Sequence, residues 1–203
     1  ATDEIYITDL YIQPNIHDHT ALLQLQLDHT GINNALTPIS IEIKDQKENI
    51  VASWSENLNL HPGINHWKKT IEIPNAQYWS PDTPHLYQVE VIVKQGDEIS
   101  DSQTERFGMR ELTIKNKDFY LNGERIYIKA SFFEGLYPNK IACPDSEEMA
   151  RQEIQLAKEA GFNMIRPWRR PPTPMWLDLA DEMGVLVVGS PALECMTLPL
   201  STP

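Results

Sequence analysis

The chain has 203 residues, a formal charge of −12, 41% hydrophobic and 23% charged residues. At roughly 100–200 residues per domain it admits one large or two small folded domains, and the composition excludes general disorder. The acidity sits mostly in residues 1–108, net −10, against −2 in residues 109–203, which argues against a nucleic-acid partner and fits a neutral or cationic one, or simply solubility.

Residues 1–108 read as β. Leu23–Leu27, Ile39–Lys44 and Tyr87–Val93 alternate apolar and polar, which puts one face on a core and one in water. Shorter candidates are Ile5–Ile12, Ile50–Trp54, His66–Ile73 and Ile99–Phe107. Turn signals separate them at His29-Thr30-Gly31, Asn33-Asn34, His61-Pro62-Gly63, Ser80-Pro81-Asp82 and Gln95-Gly96-Asp97. About seven short strands over this length predict an immunoglobulin-like β-sandwich.

The period changes after Arg110. Phe119–Leu121 and Ile126–Ile128 flank Asn122-Gly123, a pair suited to a type I′ hairpin. Tyr127–Phe133 is expected as a strand. Asp145 or Ser146 is expected to cap a helix with Ala150, Ile154 and Ala157 on one face and Gly161 at its stop. Asn163–Arg166 predicts a second strand. Thr173 caps a second helix, Pro174 opens it, and Trp176, Leu179, Ala180 and Met183 share its buried face, with Gly184 at the end. Val185–Val188 is apolar throughout, as a doubly covered parallel strand is. This β-α-β-α-β order opens a parallel α/β fold, and the chain is expected to be a piece of a longer protein.

Three segments carry a family resemblance. Trp79-Ser80-Pro81-Asp82-Thr83-Pro84-His85-Leu86-Tyr87 is similar to a "W-S-P-x-x-P-x-L-Y" stretch. Arg106-Phe107-Gly108-Met109-Arg110, with Phe119–Ile126, is similar to an "R-F-G-x-R … F-x-L-N-G" junction. Gly161–Arg166 and Asp181–Val187 are similar to "G-x-N-x-x-R … D-E-x-G-x-L-V". In this order and spacing they resemble glycoside hydrolase family 2, which includes β-galactosidases, β-glucuronidases and β-mannosidases. The resemblance implies a multidomain β plus α/β chain. Residues 1–108 would be the immunoglobulin-like sandwich, and 109–203 the first three β/α units of a (β/α)8 TIM barrel. In this reading Trp79 and Tyr87 pack one end of the sandwich.

The resemblance also implies a retaining β-glycosidase with two catalytic glutamates, which such chemistry holds about 5–5.5 Å apart. The family's first glutamate lies in an "N-E" pair, and residues 109–203 contain no Asn-Glu dipeptide. Both glutamates are therefore expected beyond Pro203, and the chain alone is expected to be inactive. Part of the sugar pocket is expected here, because TIM-barrel sites lie at the C-terminal ends of the strands. That places Phe132, Phe133, Glu134 and Tyr137 after the first strand. Arg166, Trp168, Arg169 and Arg170 follow the second, and Ser190 and Glu194 the third. By resemblance Arg166 steadies the nucleophile carboxylate with its guanidinium fork; the alternative is a structural ion pair. Trp168 either stacks on a sugar face or roofs the barrel. Glu134 stands where relatives carry a pocket histidine, and either accepts from sugar hydroxyls or caps a loop. Arg169 replaces another family histidine, and Glu194 is displaced from a family glutamate position. With Arg170, these departures suggest a cationic pocket for an acidic sugar, or surface ion pairs.

His17 and His19 could share a strand face, but no third ligand stands out, so no metal is expected. Cys143 and Cys195 lack metal-ligand spacing and a paired histidine. There is no Gly-rich phosphate loop, and no cofactor is expected. No apolar run approaches the roughly 18 residues of a membrane span, so no membrane partner is expected. Ala1–Glu4 lacks a signal peptide's basic and apolar regions, so such a segment is absent or already removed; the family's extracellular glycans point to periplasmic or extracellular placement. Two function classes follow: part of a β-glycosidase acting on a carbohydrate, or a non-catalytic sandwich that binds carbohydrate or protein. The open edges of an incomplete barrel predict self-association.

Overall fold

The computed structural model describes residues 3–141, 143–167 and 171–189. Two compact units emerge. The first comprises residues 1–79, 85–115 and 120–124, and the second residues 80–84, 116–119 and 125–203.

The first unit contains seven long strands: β1 (Ile5–Asn15), β2 (Thr20–His29), β3 (Ala35–Lys44), β4 (Ile50–Leu60), β5 (Gly63–Glu72), β6 (Tyr87–Gln95) and β7 (Glu98–Phe107). They form two sheets of order β1-β2-β5 and β4-β3-β6-β7, with every pairing antiparallel. The core comes from the central strands: Leu23, Leu25 and Leu27 of β2, Ile39, Ile41 and Ile43 of β3, and Val89, Val91 and Val93 of β6 are all buried. β-Branched residues on β3 and β6 suit this role, since their stiff χ1 packs well on a pleated surface. The edge strands differ. β4 and β5 end different sheets, and Trp54 and Trp67 meet with ring centroids 5.0 Å apart. Lys69 Nζ lies 4.6 Å over the Trp54 ring, so a cation and two indoles close the side where the aliphatic core runs out.

The edge strands outrun their sequence reading. β4 continues to Leu60 rather than ending at Trp54, β5 begins at Gly63 rather than His66, and β1 runs to Asn15 past a bulge between Ile7 and Asp9. An edge strand pairs on one side, so polar stretches such as Ser55–Asn57 continue the ladder without alternating cleanly.

Next come β8 (Leu112–Lys115), β9 (Asp118–Leu121) and β10 (Glu124–Ile126), in a sheet of order β10-β9-β8. Asn122 and Gly123 join the last two with φ of +52° and +84°, the positive values a type I′ turn demands. The Asn122 side chain donates to the Trp79 carbonyl (3.0 Å) and accepts from the Glu111 amide (3.0 Å), which ties the turn down.

The second unit holds β11 (Ala130–Phe133), α1 (Glu147–Glu159), β12 (Met164–Pro167), α2 (Pro174–Met183) and β13 (Leu186–Val187). The strands pair in parallel in the order β11-β12-β13. Ser146 caps α1, its side chain accepting from the Met149 amide, and Thr173 caps α2 by accepting from Trp176. Gly184 closes α2 in the left-handed region at φ +73°. The helices pack through Ala150, Ile154, Trp176, Leu179 and Ala180 against Ile165.

The strand edges need correction. β11 starts at Ala130, not Tyr127, because the Asn163 side chain occupies the preceding segment. It accepts from the Lys129 amide (2.8 Å) and donates to the Tyr127 carbonyl (2.9 Å), replacing ladder bonds. β13 is only Leu186–Val187, and Val188 is 41% exposed, so the third strand is not covered on both faces along its length.

Candidate functional site

Parallel strands point their C-terminal ends the same way, which gathers the residues that follow them at one end of the sheet. In β12, Ile165 is buried among the helices, so Arg166, one residue on, takes the opposite face. Arg166 is exposed there and in register with Phe132 of β11, itself 56% exposed. Phe133 faces the helices instead, stacked on Trp176 with centroids 5.8 Å apart. Of the two expected lining phenylalanines, only Phe132 takes the Arg166 face.

Glu134 follows directly and is exposed. Gly135 then turns the chain at φ +66°, and Tyr137 comes back inward to 7% exposure. A cleft of about 20 Å³ lies among Phe133, Glu134, Tyr137, Pro144, Pro167, Pro171, Pro172, Thr173 and Trp176. That is room for one water and far too little for a sugar. It is a seam between the segments after β11 and β12.

Beneath the seam is a carboxyl that the sequence reading missed. Tyr137 Oη donates to Glu153 Oε2 at 2.9 Å. Burial pushes the Glu153 carboxyl above its ordinary value, and the donors of Tyr137 and Trp176 pull it part of the way back. Of these two contacts the Tyr137 one is a hydrogen bond of ordinary geometry; among the described residues the buried Trp176 Nε1 has no hydrogen-bond partner. Burial, then the Glu153 bond, push the Tyr137 hydroxyl up in turn. Glu153 stands three residues after Ala150 and four before Ala157, inside the apolar stripe of α1. A carboxylate at that spacing was the available signal.

Trp168, Arg169, Arg170, Ser190 and Glu194 lie outside the described residues. Of the expected site residues the structure thus brings Phe132 and Arg166 to one face and Phe133, Glu134 and Tyr137 to the adjoining seam. Cys143 is a free thiol, and Cys195 too lies outside the described residues. His17 and His19 take different partners. His17 Nε2 lies 3.4 Å from the Glu111 carboxylate and His19 Nε2 lies 3.1 Å from the Tyr78 hydroxyl. Among the described residues no three His, Cys, Asp or Glu side chains converge as a metal site.

Two sequence families match in tandem: glycosyl hydrolases family 2 over residues 5–110, and glycosyl hydrolases family 2, TIM barrel domain, over residues 112–202. A β-galactosidase of Staphylococcus xylosus is 24% identical over 188 residues, 93% of this chain and 17% of the relative. A family 2 glycosyl hydrolase structure from Bacteroides cellulosilyticus superposes with a TM-score of 0.87 at 23% identity, over 94% of this chain and 27% of that one. The β-glucuronidase structure of Parabacteroides merdae gives a TM-score of 0.74 at 25% identity, over 91% and 23%. The chain spans about a sixth of the length of the curated relatives it matches. The fold is a β-sandwich followed by the start of a TIM barrel.

Proposed function

Because this chain belongs to glycosyl hydrolases family 2, we propose that it supplies the sandwich and the opening barrel strands of a retaining β-glycosidase. The observation that carries this reading is the tandem family match combined with Arg166 at the C-terminal end of β12, on the face away from the helices. A retaining mechanism needs two carboxyls about 5–5.5 Å apart, one as acid/base and one as nucleophile. Both come from barrel strands other than the three present here. The substrate is a β-linked sugar of the kind its relatives' names describe, a galactoside or a glucuronide.

Within that site each residue has a task. Arg166 holds the nucleophile carboxylate ionised and oriented through paired N–H donors, a geometry that a lysine point charge does not reproduce. Glu134 accepts hydrogen bonds from sugar hydroxyls at the rim, and Phe132 gives the Arg166 face an apolar surface for a sugar ring. By the family resemblance, Trp168, Arg169 and Glu194 are further candidates for contact with the sugar. The domain division lies near residues 108–109.

The test compares the 203-residue chain with its full-length parent on chromogenic β-galactoside, β-glucuronide and β-mannoside substrates. Cleavage by the parent alone is expected and names the sugar. Turnover by the 203-residue chain overturns the placement of both glutamates. A parent that cleaves none of these but retains glycan on an affinity column supports a non-catalytic binding module instead.

A further inference from the structure

The loop after β11 is built around one inward side chain. Its neighbours Leu136 and Ile141 are 57% and 62% exposed, whereas Tyr137 is 7% exposed. Tyr137 and Ile141 exchange backbone hydrogen bonds of 3.1 and 3.2 Å, closing the loop on itself. Ile141 does so at φ +58°, a strained conformation for a β-branched residue, which persists only where other contacts over-determine it. The Tyr137 ring meets Phe133 edge-on at 6.3 Å, and its hydroxyl reaches Glu153 at 2.9 Å.

Glu153 is an expensive acceptor. It occupies the stripe by which α1 packs on the sheet, where an aliphatic side chain would avoid the desolvation cost of a carboxyl. Ala150 and Ile154 are fully buried beside it, so α1 is a rigid base for the bond. At the other end of the loop, Gly135 leaves Glu134 only three residues from the anchored tyrosine. Glu134 and the anchored tyrosine therefore belong to one short loop segment.

We propose that Tyr137 and Glu153 form a positioning pair that holds the loop after β11, and with it Glu134, in the geometry that binds the sugar. The inference rests on the glycosidase reading and deepens it: neither residue touches substrate, and both act through Glu134.

The experiment uses the full-length parent, its cleaved chromogenic glycoside, and amide hydrogen exchange over residues 134–141. Tyr137→Phe removes only the hydroxyl. It is expected to raise KM about tenfold with kcat within about twofold, because binding common to ground and transition states is lost with one hydrogen bond. Exchange in residues 134–141 is expected to quicken while residues 147–159 stay protected. Glu153→Gln keeps an acceptor and stays near wild type in both readouts; Glu153→Leu repeats Tyr137→Phe. Glu134→Ala raises KM alone and adds nothing to Tyr137→Phe. Wild-type KM and exchange in Tyr137→Phe overturn the proposal. So do independent, multiplying effects of the two substitutions, or a fall in kcat at constant KM, which reports loss of folded enzyme. If the wild-type parent cleaves no glycoside, the glycosidase reading fails and exchange alone judges the anchor. Faster exchange in Tyr137→Phe then supports it, and unchanged exchange overturns it.

Discussion

The Arg110 guanidinium lies 4.4 Å from the ring centroid of Trp79, which is fully buried. Trp79 also donates its backbone amide to the Met109 carbonyl at 3.0 Å. Gly108 leaves the indole its room, since a Cβ there would stand 2.9 Å from Trp79 Cβ. Removing the indole, Trp79→Ala, is expected to cost about 3–5 kcal/mol, as large-to-small core changes do. Gly108→Ala is expected to cost about 1–3 kcal/mol by overpacking. Urea unfolding of the sandwich transition measures both, and a midpoint unmoved by Trp79→Ala would contradict the packing role.

A second fixed point lies where the helices of the barrel unit end. Lys158 Nζ donates to the Pro81 carbonyl at 3.0 Å and to the Met183 carbonyl. Next to it, a Cβ at Gly184 would run into the Pro81 carbonyl. The αL conformation adds its own cost for any other residue. Gly184→Ala is therefore expected to destabilise by at least about 1–2 kcal/mol from backbone strain alone. Lys158→Met is expected to cost about 2–3 kcal/mol by orphaning two acceptors of a charged donor. Thermal unfolding of the variants checks both.

The sequence was most legible where strands pair on both sides or caps are local. β2, β3 and β6 declared themselves because they are the inner strands of the two sheets and one face of each is wholly core. Thr173, Pro174 and Gly184 marked α2 because capping chemistry acts over a few residues. The edge strands were read too short because a one-sided ladder tolerates polar runs. The start of β11 was misplaced because the Asn163 side chain, 34 residues from Lys129, substitutes for the ladder. The Tyr137–Glu153 bond was invisible for a similar reason. It joins residues 16 apart through a loop whose path depends on positive φ at Gly135 and Ile141, and no periodicity encodes that path.

Glu153 also gives stability a pH dependence of definite sign. Burial raises its folded value above the ordinary 4.5, so the folded chain keeps the proton to higher pH than the unfolded chain. Its contribution is full below 4.5 and is lost as pH rises through the raised folded value. Glu153→Gln never ionises and escapes that loss. The stability of Glu153→Gln relative to wild type is expected to climb from pH 4.5 to about 7. Urea midpoints at the two pH values measure it, and a constant gap between the proteins would contradict the assignment.

The 203-residue chain by itself is expected to self-associate. Among the described residues β11 and β13 end their sheet, and Phe132 and Val188 are 56% and 41% exposed. Unpaired strand edges beside apolar surface recruit a second chain. Sedimentation should show average mass rising with concentration, and Phe132→Asp should weaken the rise. A clean monomer with well-protected amides in residues 130–133 and 164–167 would sink the idea.

Arg166 provides the sharpest test of the site. Its register partner is Phe132, and both stand on the sheet face that the helices leave uncovered. Arg166→Lys keeps the charge and removes the fork that holds a carboxylate by two parallel bonds. In the full-length parent this is expected to lower kcat by about 10²-fold, the scale of a reacting group misplaced by about 1 Å, with KM little changed. A structural ion pair would tolerate lysine and leave kcat intact while moving the unfolding midpoint. Wild-type kcat in Arg166→Lys would therefore remove Arg166 from the machinery and leave it a role in the barrel wall.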